Sequence, residues 1–177
     1  VKLMMDPNAD PFAAPAPDAD AAPTKFGASD VQDLNWVQLL NAYTCTECGR
    51  CTSACPANIT GKKLSPRKIM MDTRDRMEEV GKNIDANKGV FVPDNKTLLN
   101  DYITPEELWA CTSCNACVEE CPVNISPLSI IMDMRRYLVM EQSAAPMSLN
   151  AMMTNVENNG APWQYSQQDR LNWKNEN

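Results

Sequence analysis

A chain of 177 residues with 23 Asp and Glu against 16 Lys and Arg carries a net charge of −7, which argues against nucleic acid as a partner and for a basic surface on a protein partner. It contains no histidine, which excludes His-ligated haem and Rieske centres, and with six glycines and no G-x-G-x-x-G it encodes no flavin or nicotinamide site of its own. No run approaches 18 consecutive apolar residues, so no membrane helix is expected within it.

The chain begins at Val1 and is expected to be a processed product or a piece of a longer protein. Residues 7–24 are rich in Pro, Ala and Asp and cannot build a core, so residues 1–28 are expected to form a linker or extended arm. Asp30 to Tyr43 follows a helical period, with Val31, Leu34, Val37 or Gln38, and Leu40 or Asn41 on one face and Ser29 or Asp30 as cap. This helix delivers the chain to Cys45. Ser65-Pro66 reads as a cap followed by proline in the first turn. From there Ile69, Met70, Thr73, Met77 and Val80 form a stripe that runs to a stop at Gly81. The connector 82–103 holds one short apolar piece, Val90-Phe91-Val92, compatible with a small strand or a buried loop.

Thr104-Pro105-Glu106-Glu107 starts another helix, which leads through Trp109 into Cys111. After Pro127 a further helix places Ile130, Ile131, Met134, Leu138 and Met140 inward. The region 29–143 is thus expected to be one helical domain, and 144–177 an accessory tail. The tail's helix carries Leu149, Met152, Met153 and Val156 and ends near Asn158-Asn159-Gly160, with Trp163, Tyr165 and Trp173 beyond it. Those aromatics suit either packing over the domain or docking on a partner.

All eight cysteines lie in two runs, Cys45, Cys48, Cys51, Cys55 before Pro56, and Cys111, Cys114, Cys117, Cys121 before Pro122. The spacing C-x2-C-x2-C-x3-C-P is a bacterial [4Fe–4S] ligand pattern, and thiolates are the soft donors that iron–sulfur cubes require. The fourth cysteine of such a run serves the other cube. The expected ligands are therefore Cys45, Cys48, Cys51 and Cys121 for one [4Fe–4S] cluster, and Cys111, Cys114, Cys117 and Cys55 for the second. Four disulfides are a poor alternative, because four cysteines within eleven residues are too crowded for independent bridges. Zinc is equally poor, because each run has a third cysteine at the same step and no histidine is present.

The runs belong to an internal repeat. Cys-Pro-x-Asn-Ile-(Thr or Ser) occurs at 55–60 and 121–126, and Pro-x-x-Ile-x-Met-Asp-x-Arg at 66–74 and 127–135. An aromatic residue, Tyr43 or Trp109, stands two before each run, and Gly61 to Ser65 is the one insert. The halves share ligands, so neither is expected to fold without the other or without metal. The eleven methionines suit irregular gaps around bulky cubes. Amides near Gly49 and Ala116 are expected to donate to sulfur, and Lys62, Lys63, Arg67 and Lys68 to offset cluster charge, face a partner or lie in solvent.

With its doubled motif, long helical spacer and Cys-Pro-x-Asn-Ile turns, the sequence resembles the alpha-helical ferredoxin domain over roughly residues 30–160. That domain occurs in the C subunits of heterodisulfide reductase and anaerobic glycerol-3-phosphate dehydrogenase and in succinate dehydrogenase iron–sulfur subunits. The resemblance implies an all-α fold of two pseudo-repeated helix–cluster loop–helix halves and two [4Fe–4S] clusters. It also implies an electron-transfer module of an oxidoreductase without its own substrate site. Redox partner subunits are implied with it: a CCG-domain subunit, a flavoprotein or a membrane cytochrome-type anchor. The chain has no CCG pair itself. A cytoplasmic location, at the membrane face as part of a larger protein or complex, follows from the same resemblance. Two rival readings stand beside it: clusters that only staple a binding scaffold, and a fragment of a flavin-linked oxidoreductase whose catalytic part is elsewhere.

Overall fold

The computed structural model describes residues 25–174, all of them helix, turn or loop without a named strand. Most of the expected arm, residues 1–24, lies outside the described residues. The rest of it, 25–28, is laid on the helix that follows the second cysteine run. Ala28 donates its amide to the Asp133 carbonyl at 3.1 Å, and the Lys25 ammonium sits 5.1 Å from the Tyr137 ring centre. Gly27 makes this approach possible. Its φ is +79°, and an added Cβ would collide with the Asp133 carbonyl oxygen and the Tyr137 amide.

The helix expected over 30–43 is broken in two. A 3-10 turn, Val31–Asp33, is capped by Asp30, Leu34 is extended, and α1 (Trp36–Tyr43) restarts behind Asn35. Asn35 and Gln38 form a capping box, a local bond pattern strong enough to start a new helix two residues after the first turn ends. The break also rotates the face. Val31 and Leu34 are buried, but on α1 the buried residues are Gln38 and Ala42, while Val37 and Leu40 are exposed.

The first cysteine run holds the one-turn helix α2 (Arg50–Ser53), and α3 (Pro56–Ile59) follows it. Helix α4 (Pro66–Ala86) then starts on Ser65, whose hydroxyl accepts from the Lys68 amide, with Pro66 in the first turn. It does not stop at Gly81. A glycine inside a helix costs only about 1 kcal/mol, and the helix continues to a turn at Asn87, Lys88 and Gly89, where the Gly89 amide returns to the Ile84 carbonyl. Val90-Phe91-Val92 is loop. The connector contributes to the core elsewhere, through Leu98, Leu99 and Ile103 on a tight turn closed by the Ile103 amide on the Leu98 carbonyl at 3.0 Å.

The second half repeats the pattern with α5 (Pro105–Ala110), α6 (Ala116–Glu119) and α7 (Pro127–Met140). Thr104 and Glu107 form the capping box of α5, in the same relation as Asn35 and Gln38 in α1. Helix α4 packs on both α1 and α7, α5 packs on α7, and the loop helices α2 and α6 meet each other. Ile69, Met70 and Thr73 of α4 and Ile130, Ile131 and Met134 of α7 are fully buried where the halves join. Met140 is exposed, because the chain leaves α7 at Glu141 and nothing packs over the last turn.

One charge is sealed into this core. Arg76, with no exposed surface, donates to Asp30 (2.8 Å), to Asp94 (2.9 Å) and to the Lys96 carbonyl (2.7 Å), tying α4 to the N-terminal turn and the connector. Helix α8 (Met147–Asn159) ends on Gly160 at φ +64°, as the Asn-Asn-Gly sequence suggests. It buries no residue, and Trp163, Tyr165 and Trp173 are exposed rather than packed over the helical domain.

Candidate metal centre

Each cysteine run wraps a hollow, and the backbone explains how. In the first loop Glu47 (φ +57°) and Gly49 (φ +81°) are left-handed, one on each side of Cys48. In the second loop Ser113 (φ +57°) and Asn115 (φ +63°) occupy the matching positions around Cys114. Gly and Asn take this conformation readily. Glu47 and Ser113 take it at a cost of about 1–3 kcal/mol each, so the surrounding structure must hold them there. Alternating backbone of this kind turns successive amides toward one concavity, a shape suited to an anionic group.

Two cavities result. The first encloses about 360 Å³, including open space at its mouth, and Cys45, Cys48, Cys51, Cys117 and Cys121 line it with Glu47, Arg67, Met70, Val123 and Ile125 among the other walls. The second encloses about 320 Å³ on the same terms. Its walls carry Cys55, Cys111, Cys114 and Cys117 beside Leu64, Leu128 and Ile131. Each cavity therefore meets three cysteines of one run and the fourth cysteine of the other. Cys117, buried, stands in the wall between them.

All eight thiols are free, and Cys48 and Cys114 are the most exposed. Among the described residues no three Cys, Asp or Glu side chains converge as ligands of a single ion would. The sulfurs instead surround a volume. Burial raises the Cys117 thiol to about 11, helped by its neighbours Cys111, Cys51 and Cys55. Burial likewise raises Cys51, with Cys45 and Cys48 adding to it. Cys114 moves the other way because the Ala116 amide and the Thr112 hydroxyl donate to it. The Ser113 amide donates to the Cys111 sulfur at 3.4 Å, and the Ile125 amide to the Cys121 sulfur at 3.3 Å. Crowded, desolvated thiols of this kind ionise together only when a bound cationic core compensates them. A soft all-sulfur donor set, apolar walls and inward amides fit an iron–sulfur cube in each cavity.

The expected amide donor near Ala116 is present, and the structure adds two supports the sequence did not reveal. Arg74 and Arg135 occupy the same place in the repeat, and each holds its own loop. Arg74 pairs with Glu47 at 2.6 Å. Arg135 donates to the carbonyls of Leu108 (2.6 Å) and Cys111 (2.5 Å), and its guanidinium lies 4.9 Å from the Trp109 ring centre. The Pro-x-x-Ile-x-Met-Asp-x-Arg match was the available signal. The buried third residue of each capping box reaches further: Gln38 to Asp133 on α7, and Glu107 to Lys68 (2.9 Å), which also holds Asp72 at 2.7 Å on α4. Of the four basic residues singled out above, Arg67 lines the first cavity, Lys63 pairs with exposed Glu106, and Lys68 is taken up by Asp72 and Glu107.

Residues 44–125 match the protein family described as 4Fe-4S dicluster domain. The chain is 34% identical over 186 aligned positions to the probable iron-sulfur-binding oxidoreductase FadF of Bacillus subtilis, covering 89% of this chain and 26% of that protein. It is 34% identical over 169 positions to the EtfAB:quinone oxidoreductase of Syntrophomonas wolfei, covering 85% of this chain and 24% of that protein. Identity to the C subunit of the ferredoxin/F(420)H(2)-dependent CoB-CoM heterodisulfide reductase of Methanosarcina acetivorans is 32% over 108 positions, 60% of this chain and 52% of that protein. The resemblance read from the cysteine motifs and the Cys-Pro-x-Asn-Ile turns holds at this level. The chain spans about a quarter of the length of the first two relatives.

Proposed function

We propose, from the premise that this chain carries a 4Fe–4S dicluster domain at residues 44–125, that it passes single electrons through two [4Fe–4S] clusters between redox partners. When bound, each cube supplies a one-electron couple whose potential is set by burial, local charge and hydrogen bonds to sulfur. Cys45, Cys48, Cys51 and Cys121 hold one cube, and Cys111, Cys114, Cys117 and Cys55 hold the other. The observation that carries this reading is the lining of the two cavities, three cysteines from one run with the fourth of the other in each. Cys117, in the common wall, keeps the two centres adjacent, as hopping between them requires. Exposed Cys48 and Cys114 give each centre a side near solvent where a partner docks.

The partners are redox subunits or domains, in keeping with relatives named as a quinone oxidoreductase acting with EtfAB and as part of a heterodisulfide reductase. A CCG-domain subunit, a flavoprotein or a membrane cytochrome-type anchor would each supply what this chain lacks. No helix of the described residues is long and apolar enough to cross a membrane, so attachment at the cytoplasmic face would come through such a partner or through sequence beyond this chain.

Anaerobically prepared protein should hold about eight irons and eight sulfides and show reversible one-electron reduction. Zinc at about two per chain without labile sulfide would exclude the clusters. Intact cubes that accept no electron under strong reductant would leave a structural role instead.

A further inference from the structure

The two cavities are related by the repeat, but one matched position differs in charge. Arg67 follows Pro66 at the start of α4, and Leu128 follows Pro127 at the start of α7. Each lines the cavity of its own half. A Cβ built on Gly49 would stand 3.8 Å from the Arg67 Nη1, so the guanidinium lies over the loop between Cys48 and Cys51. The Arg67 amide donates to the Thr52 hydroxyl at 3.3 Å, and that hydroxyl is within 2.9 Å of the Ser65 hydroxyl, which fixes the start of α4 on α2. Among the described residues Arg67 forms no ion pair, and Glu47, the other charged residue on that wall, is matched by Arg74. The second cavity has no ionisable lining residue apart from its cysteines. Arg135 stands near Cys111, but its guanidinium is engaged by two carbonyls and the Trp109 face and does not line the cavity.

Resting on the cluster reading above, we propose that Arg67 is a positioning residue that sets the cube of the first cavity at the higher reduction potential. An electron entering at the second centre then settles on the first. Adding one electron from an external redox protein makes a cube one unit more negative, and a nearby fixed cation favours that state. The leucine-walled cavity offers no such cation and disfavours added charge by its low polarity.

The test is a mediated redox titration of the holoprotein with dithionite as reductant, followed by electron paramagnetic resonance. Cys48→Ser and Cys114→Ser backgrounds assign the two couples, and iron and sulfide are counted for every variant. Arg67→Leu should lower the first couple by up to about tenfold in its reduction equilibrium, about 59 mV for one electron, and leave the second in place. Arg67→Lys should restore most of the shift, and Leu128→Arg should raise the second couple. The proposal is overturned if fully loaded Arg67→Leu leaves the first couple unmoved, or if the wild-type second couple is the higher. Should Arg67→Leu fail to load, Leu128→Arg decides, and an unmoved second couple overturns the proposal. Absence of iron and sulfide in the wild type would refute the cluster reading itself, a different outcome from loaded cubes with unmoved potentials.

Discussion

Gln38 donates from Nε2 to the Asp133 carboxylate at 2.6 Å, joining the helix before the first cysteine run to the helix after the second, across 95 residues of sequence. The same amide side chain closes the capping box of α1, so one residue both starts a helix and joins the halves. Gln38→Leu should therefore lower stability by about 1–3 kcal/mol, the cost of leaving a part-buried acceptor without its donor. Denaturant unfolding of the holoprotein checks this. A change below about 0.5 kcal/mol would mean that Arg136, also bonded to Asp133, satisfies that carboxylate alone.

The N-terminal strap depends on a missing side chain. Gly27→Ala would drive a methyl group into the backbone of α7 at a left-handed φ, and should destabilise by more than about 2 kcal/mol. The strap would then lift, taking the Lys25–Tyr137 contact with it. Amide exchange at Ala28, whose donor bond to Asp133 would open, reports the event directly. Unchanged protection there would refute it.

Arg76 links folding to acid. Its side chain holds the Asp94 carboxyl at about 2, well below the ordinary 3.8. A carboxyl depressed on folding contributes stability that is complete above its unfolded value and is lost as pH falls through the folded one. That window runs from about 4 down to about 2. Asp94→Asn should cost about 1 kcal/mol at neutral pH, after allowance for solvent screening at this half-open site. The difference from wild type should shrink as pH drops below 4, which paired denaturation midpoints across that range would reveal. Arg76→Met is expected to cost more, about 3 kcal/mol, because it leaves Asp30 and Asp94 facing each other without their cation.

Exchange of ligands between halves makes a crossed prediction. Cys55→Ser should perturb the cube held by Cys111, Cys114 and Cys117, and Cys121→Ser the cube held by Cys45, Cys48 and Cys51. Iron content and the resonance spectrum of each variant distinguish them. A defect confined to the mutated run's own three-cysteine site would reverse the assignment.

Much of this was legible in the sequence, for reasons that can be named residue by residue. The cysteine spacing depends on bond lengths within a short loop, so it announces its chemistry without a fold. Ser65-Pro66, Thr104-Pro105 and Ser126-Pro127 start helices because capping is settled within one turn. The stripes Ile69-Met70-Thr73 and Ile130-Ile131-Met134 follow from helical period alone. The tertiary structure decided what local rules leave balanced. Asn35 against Ser29 or Asp30 as helix start turned on a capping box closed by Gln38, whose buried end is then held by Asp133. Gly81 continued a helix because its cost is small beside the packing of α4 between α1 and α7. Arg76 reads in sequence as a surface charge. It is buried because Asp30 and Asp94, 46 and 18 residues away, converge on it, and such convergence is a property of the folded chain alone.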